Sequence, residues 1–296
     1  MITNEKVWRP DNLHDAWILS SKLSDQCCFV SGGTWLRTQW EAGTKEMAPH
    51  LISLDKVPEV KEDISLKGQL GQEEVVIGAS TTLAEMITNP TLNEKAPVLV
   101  KACKNIAGPS IRNQGTIGGN ILSCVGDAIP ALIVLNAKLM WFNGDELVYQ
   151  SIEEWLLNQD EVRDILVSIH IPTDKSKGEH YEFAFYTKVG RRESFIPSLV
   201  TVAGTGCYRK GEGIFSHVSL SVGGGNVVPI RLPNTEVKII NNEYSSELLY
   251  NVLRQVQQDY KPIDDAFGSA AYKRKVAGNL IVSELYRIGG SNHALE

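Results

Sequence analysis

Two glycine-rich turns constrain this chain more than any other feature: Ser31-Gly32-Gly33-Thr34 and Gly115-Thr116-Ile117-Gly118-Gly119-Asn120. Successive glycines admit positive φ and let another group approach the main chain closely. Consecutive N–H groups in such a turn can converge on an anion without help from a lysine. Thr34 and Thr116 add hydroxyl donors beside them. Either turn alone reads equally as a plain hairpin. Two in one domain predict a cradle for the two phosphates of a dinucleotide.

The rest of the sequence narrows the chemistry by exclusion. The net charge of -6 argues against a general binder of nucleic acid or anionic membranes. It leaves a small anion open, because backbone amides can hold one. The five cysteines, Cys27, Cys28, Cys103, Cys124 and Cys207, form no C-x-x-C pair, and their scatter does not suggest a disulfide scaffold. The six histidines form no ligand cluster in the sequence. No G-x-G-x-x-G follows a strand, and neither a P-loop nor H-E-x-x-H occurs. Ser80 and Ser110 read as cap or turn residues, not nucleophiles. Chemistry supplied by a bound cofactor is therefore favoured over side-chain chemistry. No apolar run reaches the roughly 20 residues of a membrane span, and no charged-then-apolar leader opens the chain. A cytoplasmic protein is expected.

At 296 residues two domains are expected. Strands are predicted near Cys27–Val30 and Leu51–Leu54, with a hairpin around Gly71. Thr82 and Glu85 have capping-box spacing, as do Ser151 and Glu154. Leu99, Ala102, Cys103 and Ile106 recur at helical spacing, and Gly108 can end that helix. Asp127 is a candidate N-cap for the apolar helix that follows. Asn143-Gly144 signals a second hairpin. Ile165 to Ile171 alternates as a half-buried strand would. The polar stretch Asp174 to Gly178 is the expected domain boundary. Beyond it, long strands (Tyr181–Lys188, Ser198–Tyr208, Ile214–Val222) precede helical stretches near Ser246–Tyr260 and Ala270–Arg287. That order predicts an antiparallel sheet backed by helices, an α+β layout.

The sequence resembles the FAD-binding medium subunits of the molybdenum hydroxylases, of the xanthine dehydrogenase and carbon monoxide dehydrogenase type. Phe29-Val30-Ser31-Gly32-Gly33-Thr34-Trp35-Leu36 is similar to their first FAD loop. The stretch from Ile106 through Arg112-Asn113-Gln114-Gly115-Thr116-Ile117-Gly118-Gly119-Asn120 is similar to the second, and is the most specific match. Gly126-Asp127-Ala128-Ile129-Pro130-Ala131, Leu166 to Pro172, Lys188 to Arg192, Gly223 to Arg231 and Ser269 to Gly278 continue the likeness in order.

The resemblance implies a two-part FAD-binding domain of the vanillyl-alcohol oxidase type over 1–173, its subdomains split near 56–60. A carbon monoxide dehydrogenase flavoprotein-like domain follows over 179–290. It implies an oxidoreductase subunit, with electrons passing from the [2Fe-2S] clusters of a small subunit through FAD to NAD or another acceptor. A molybdopterin-binding large subunit would oxidise the substrate. Residues 29–36 and 116–120 would hold the pyrophosphate through backbone N–H groups. Asp127 would accept hydrogen bonds from a sugar hydroxyl or the ribityl chain. Ile106 would pack on the FAD, Leu166 near its isoalloxazine or adenine, and Lys188 near the flavin ring. Arg191 and Arg192 would lie near the flavin or the iron–sulfur partner.

No histidine sits in either loop, so the FAD is expected to be non-covalent, and no metal is expected in this chain. Xanthine is the favoured substrate of the whole enzyme, with carbon monoxide, nicotinate and aldehydes as alternatives, and NAD against oxygen or another acceptor stays open. A stand-alone flavin reductase of the same superfamily, such as the enolpyruvyl reductase of cell-wall synthesis, and a redox-inert phosphate-binding module are the alternatives.

Overall fold

The computed structural model describes residues 6–69, 72–158, 164–173, 183–190 and 198–290. The boundary expected at 174–178 and the pair Arg191-Arg192 lie outside the described residues. The chain builds an α+β fold on three sheets, as expected.

The first sheet is parallel, in the order β1 (Lys6–Trp8), β3 (His50–Ser53), β2 (Cys27–Val30). Helix α1 (Leu13–Leu23) connects the first two strands in the chain, and α2 (Thr34–Glu41) follows β2. The Asn12 side chain caps α1 by accepting from the Asp15 amide, and Leu13, Ala16 and Ser20 form its buried stripe.

The second sheet is antiparallel, ordered β4 (Ser65–Lys67), β5 (Glu74–Gly78), β8 (Ile165–Pro172), β6 (Lys138–Phe142), β7 (Leu147–Ser151). The strands of both predicted hairpins pair in it, β4 with β5 and β6 with β7, although Gly71 of the first turn lies outside the described residues. Between β5 and β6 come α3 (Leu83–Thr88), α4 (Pro90–Lys95), α5 (Pro97–Lys104), α6 (Pro109–Arg112), α7 (Ile117–Leu122) and α8 (Ile129–Val134). Helix α9 (Ile152–Leu157) follows β7. Both predicted capping boxes form, at Thr82 with Glu85 and at Ser151 with Glu154.

Three local expectations are corrected. Helix α5 stops at Lys104, short of Ile106, and Gly108 opens α6 instead of closing α5. Pro109 explains this: the residue before a proline is driven out of the helical region, and Gly108 is extended at φ -97°, ψ 172°. Strand β8 is central and buried on both faces rather than half-buried. Leu166, Ile169 and Ile171 join the helices' core, while Ile165 and Val167 meet Leu13, Ala16 and Leu54 of the first unit. His170 tolerates that burial because its ring nitrogens meet Glu74 at 2.7 Å and Ser168 at 2.9 Å. Third, Asp127 does not cap α8. The N-cap is Ala128, whose amide donates to Asn120 Oδ1, which leaves the Asp127 carboxylate for other partners.

The third sheet is antiparallel, ordered β12 (Val227–Arg231), β11 (Ile214–Gly224), β10 (Val200–Arg209), β9 (Phe183–Val189). Helices α10 (Pro233–Ile239), α11 (Ser246–Asp259) and α12 (Ala270–Gly289) cover one face, where Phe185, Val202, Leu220, Val252 and Ile281 are fully buried. Alternate residues of the same strands turn the other way. Tyr186 and Ala203 enter the core of the second unit, and Thr205 donates to the Val134 carbonyl at the end of α8. This sheet is thus packed on both faces, which joins the C-terminal unit to the rest of the chain.

Candidate FAD site

The two glycine turns lie against each other. A β-carbon on Gly32 would stand 1.9 Å from the Gln114 carbonyl oxygen, and one on Gly115 would stand 3.3 Å from Thr34 Oγ1. Only glycine at position 32 allows that approach. Gly33 is the N-cap of α2 at φ +66°, a left-handed conformation that few other residues adopt cheaply. The Ser31 hydroxyl meets the Ser80 hydroxyl at 3.0 Å, which ties the turn to the end of β5.

The two turns use their amides differently. The first intrahelical bond of α2 is from the Arg37 amide to the Gly33 carbonyl. The amides of Gly32, Gly33, Thr34, Trp35 and Leu36 meet no acceptor among the described residues. Such a run at a helix start is a ready site for an anion. Neither turn contains a carboxylate.

In the second stretch the amides of Ile117 to Asn120 are already committed. Ile117 donates to the Thr81 carbonyl, Gly118 to Ala79, Gly119 to Thr116 Oγ1 and Asn120 to the Thr116 carbonyl. Four of the five amides expected to face a pyrophosphate, those of Ile117 to Asn120, thus already have acceptors within the protein. These residues form the first turn of α7, capped by Thr116. Gly119 is exposed at the surface of this turn, and Thr116 to Gly118 are buried behind it.

Phe29 and Val30 lie on β2, half-buried beneath the first turn, and Trp35 and Leu36 lie on the first turn of α2. Leu166 is 4% exposed inside the core. The neighbouring Val167 carbonyl accepts from Ala79, whose own carbonyl holds Gly118. Main-chain hydrogen bonds thus link the segment next to Leu166 to the second glycine stretch.

A second cluster gathers Asp127, Lys188 and Ile106. Lys188 Nζ donates to Asp127 Oδ2 at 2.7 Å and to the Asn105 carbonyl at 3.0 Å. Ser198 Oγ donates to Asp127 Oδ1 at 2.5 Å, and the Tyr186 hydroxyl to the Asp127 carbonyl at 2.9 Å. The Lys188 and Asp127 side chains are 9% and 13% exposed. Burial, reinforced by the Asp127 charge, holds the Tyr186 phenol well above its ordinary range, so it remains a donor. Ile106 is half-buried next to Asn105. Arg112 pins this stretch by donating to the Ile106 and Ala107 carbonyls at 3.0 and 2.5 Å. Asn120 links the two clusters, since it ends the glycine stretch and holds the Ala128 amide.

The sequence reading missed Ser198, Tyr186, Ser80 and the pinning role of Arg112. Only Arg112 carried a signal, as part of the stretch from Ile106 to Asn120. Ser198 lies 71 residues from Asp127, and nothing local marks the pairing.

Comparison with known proteins identifies the family. Residues 3–174 match the family described as FAD binding domain in molybdopterin dehydrogenase. The chain belongs to this family. It is thus an FAD-binding oxidoreductase subunit of the molybdenum hydroxylase class. Residues 184–288 match the CO dehydrogenase flavoprotein C-terminal domain. The carbon monoxide dehydrogenase medium chain of Hydrogenophaga pseudoflava is 27% identical over 284 residues, covering 92% of both chains. The xanthine dehydrogenase FAD-binding subunit of Escherichia coli O157:H7 is 27% identical over 250 residues, covering 80% of both. A solved structure of carbon monoxide dehydrogenase from Hydrogenophaga pseudoflava superposes with a TM-score of 0.85 over 99% of both chains. At 22% identity it shows the fold alone.

The cradle fits this family's cofactor: five successive unaccepted amides and no carboxylate suit a diphosphate. Among the described residues no group of three or more His, Cys, Asp or Glu is placed to share a metal ion. None of the described helices is long and apolar enough to cross a membrane.

Proposed function

We propose that this chain relays electrons within a three-subunit molybdenum hydroxylase of the xanthine dehydrogenase type. Electrons enter from [2Fe-2S] clusters in a small subunit and leave to NAD or another acceptor. A large molybdopterin subunit oxidises the substrate. The observation that carries the cofactor part is the run of amides from Gly32 to Leu36 against the second glycine stretch.

In this reading the amides at the head of α2 hold the pyrophosphate, and Thr116 to Asn120 wall the groove. Bound FAD supplies reversible one- and two-electron storage. Asp127 keeps acceptor capacity beyond its two bonds, because a carboxylate offers about four lone-pair directions. It can therefore take a hydrogen bond from a ligand hydroxyl. Lys188 uses two of its three N–H donors on Asp127 and Asn105, so the third can serve an electron-rich ring. Ile106 beside them offers an apolar contact. No histidine lies in 29–36 or 113–120, consistent with non-covalent FAD.

The substrate is read from relatives, not from this chain. Xanthine is favoured by the similar Escherichia coli subunit. A second reading, carbon monoxide, is favoured by the longer match to the Hydrogenophaga chain, 92% against 80% coverage. The test is to isolate the native complex through this chain and add candidate donors anaerobically. Xanthine is expected to bleach the flavin absorbance within seconds, in the presence of two co-purifying subunits. Bleaching by carbon monoxide or an aldehyde and not by xanthine would replace the substrate assignment. Isolation of the chain alone would overturn the relay.

A further inference from the structure

The Asp127 cluster has a feature that the cofactor reading does not use. Among the described residues, every side chain that hydrogen-bonds to Asp127 comes from the C-terminal unit. Lys188 and Tyr186 lie on β9, and Ser198 stands just before β10. Asp127 itself lies between α7 and α8, in the part of the chain that matches the FAD-binding family. Its carboxylate is therefore aimed by residues of the other unit.

The geometry is specific. Ser198 takes one carboxylate oxygen and Lys188 the other, which fixes the rotation of the carboxylate plane. The Tyr186 hydroxyl fixes the Asp127 main chain from the opposite polar group. Tyr186 is 1% exposed and sits in the core of the second unit, so its ring is held by packing while its hydroxyl points at Asp127. A hydrogen bond between a charged and a neutral group is stronger than a neutral pair and sensitive to direction. A carboxylate without it would rotate among several rotamers and would bind a ligand hydroxyl less well, because ordering costs free energy at binding.

We infer that Ser198 and Tyr186 are positioning residues for FAD. They hold Asp127 in its ligand-accepting orientation, so that docking of the C-terminal unit raises FAD affinity. This rests on the reading of Asp127 as an FAD contact. Neither residue needs to touch the cofactor. The energetic link is reciprocal: bound FAD should also stabilise the contact between the units.

The experiment uses the full chain with Ser198→Ala, Ser198→Thr and Tyr186→Phe. FAD affinity is measured by flavin fluorescence, and thermal unfolding with and without saturating FAD. Ser198→Ala is expected to weaken FAD binding about 10-fold, the effect of losing one charge-assisted hydrogen bond. Tyr186→Phe is expected to weaken it about 3-fold, as for a neutral bond. Ser198→Thr keeps the hydroxyl and should restore most of the loss. The rise in melting temperature caused by FAD should shrink in Ser198→Ala and Tyr186→Phe. A merely structural role would lower the melting temperature of the FAD-free chain but leave affinity unchanged, and that outcome overturns the inference. Wild-type chain that takes up no FAD would overturn the cofactor reading itself. Normal wild-type uptake with unaltered affinity in both variants overturns only the positioning role.

Discussion

Gly32→Ala is expected to give a chain that folds but retains almost no FAD. The added methyl would sit 1.9 Å from the Gln114 carbonyl oxygen, with the Gln114 carbonyl carbon at 2.8 Å and the Gly115 α-carbon at 3.2 Å. All three are main-chain atoms, so no side chain can swing away. The turn at Gly32 or the stretch at Gln114 must move by more than an ångström. Overpacking of this kind costs about 1–3 kcal/mol. If that cost falls on the FAD-bound geometry, affinity drops on the order of 100-fold. Gly211→Ala is the matched control, because a β-carbon there meets nothing within 4 Å. Fluorescence titration of both variants checks this. Wild-type affinity in Gly32→Ala would mean that the contact between the two turns does not shape the cofactor site.

Lys188→Met should carry the largest stability cost of a single side chain near the site. It strands the Asp127 carboxylate, 13% exposed, with the Ser198 hydroxyl as its remaining side-chain donor. Removing one member of a buried pair costs about 3–5 kcal/mol, more than the pair contributes against an apolar replacement. The double variant Lys188→Met, Asp127→Leu is therefore expected to recover part of the loss, because the uncompensated charge is gone. Urea midpoints of the FAD-free proteins read this directly. A loss below about 1 kcal/mol would show that water screens the pair as it does at a surface.

The fold was legible wherever local chemistry decides it. The capping boxes at Thr82 and Ser151, the hairpin at Asn143-Gly144 and the long C-terminal strands follow from side-chain spacing and turn residues. What stayed hidden was set by distant neighbours. The alternation in β8 reads as a half-buried strand, because Ser168 and His170 are polar. Glu74, 96 residues away, is what lets His170 be buried. The site divides in the same way. The glycines announce a cradle in the sequence, but not that Ala79 and Thr81 take up the amides of Gly118 and Ile117. Asp127 and Lys188 could be singled out by family resemblance, yet their pairing across 61 residues appears only in three dimensions.

The most direct test of the account is an FAD titration of the purified full chain, followed by denaturation. Saturation at a single FAD per chain is expected, with a yellow protein and flavin that separates from the polypeptide on unfolding. A chain that stays colourless after incubation with excess FAD would contradict it at its centre.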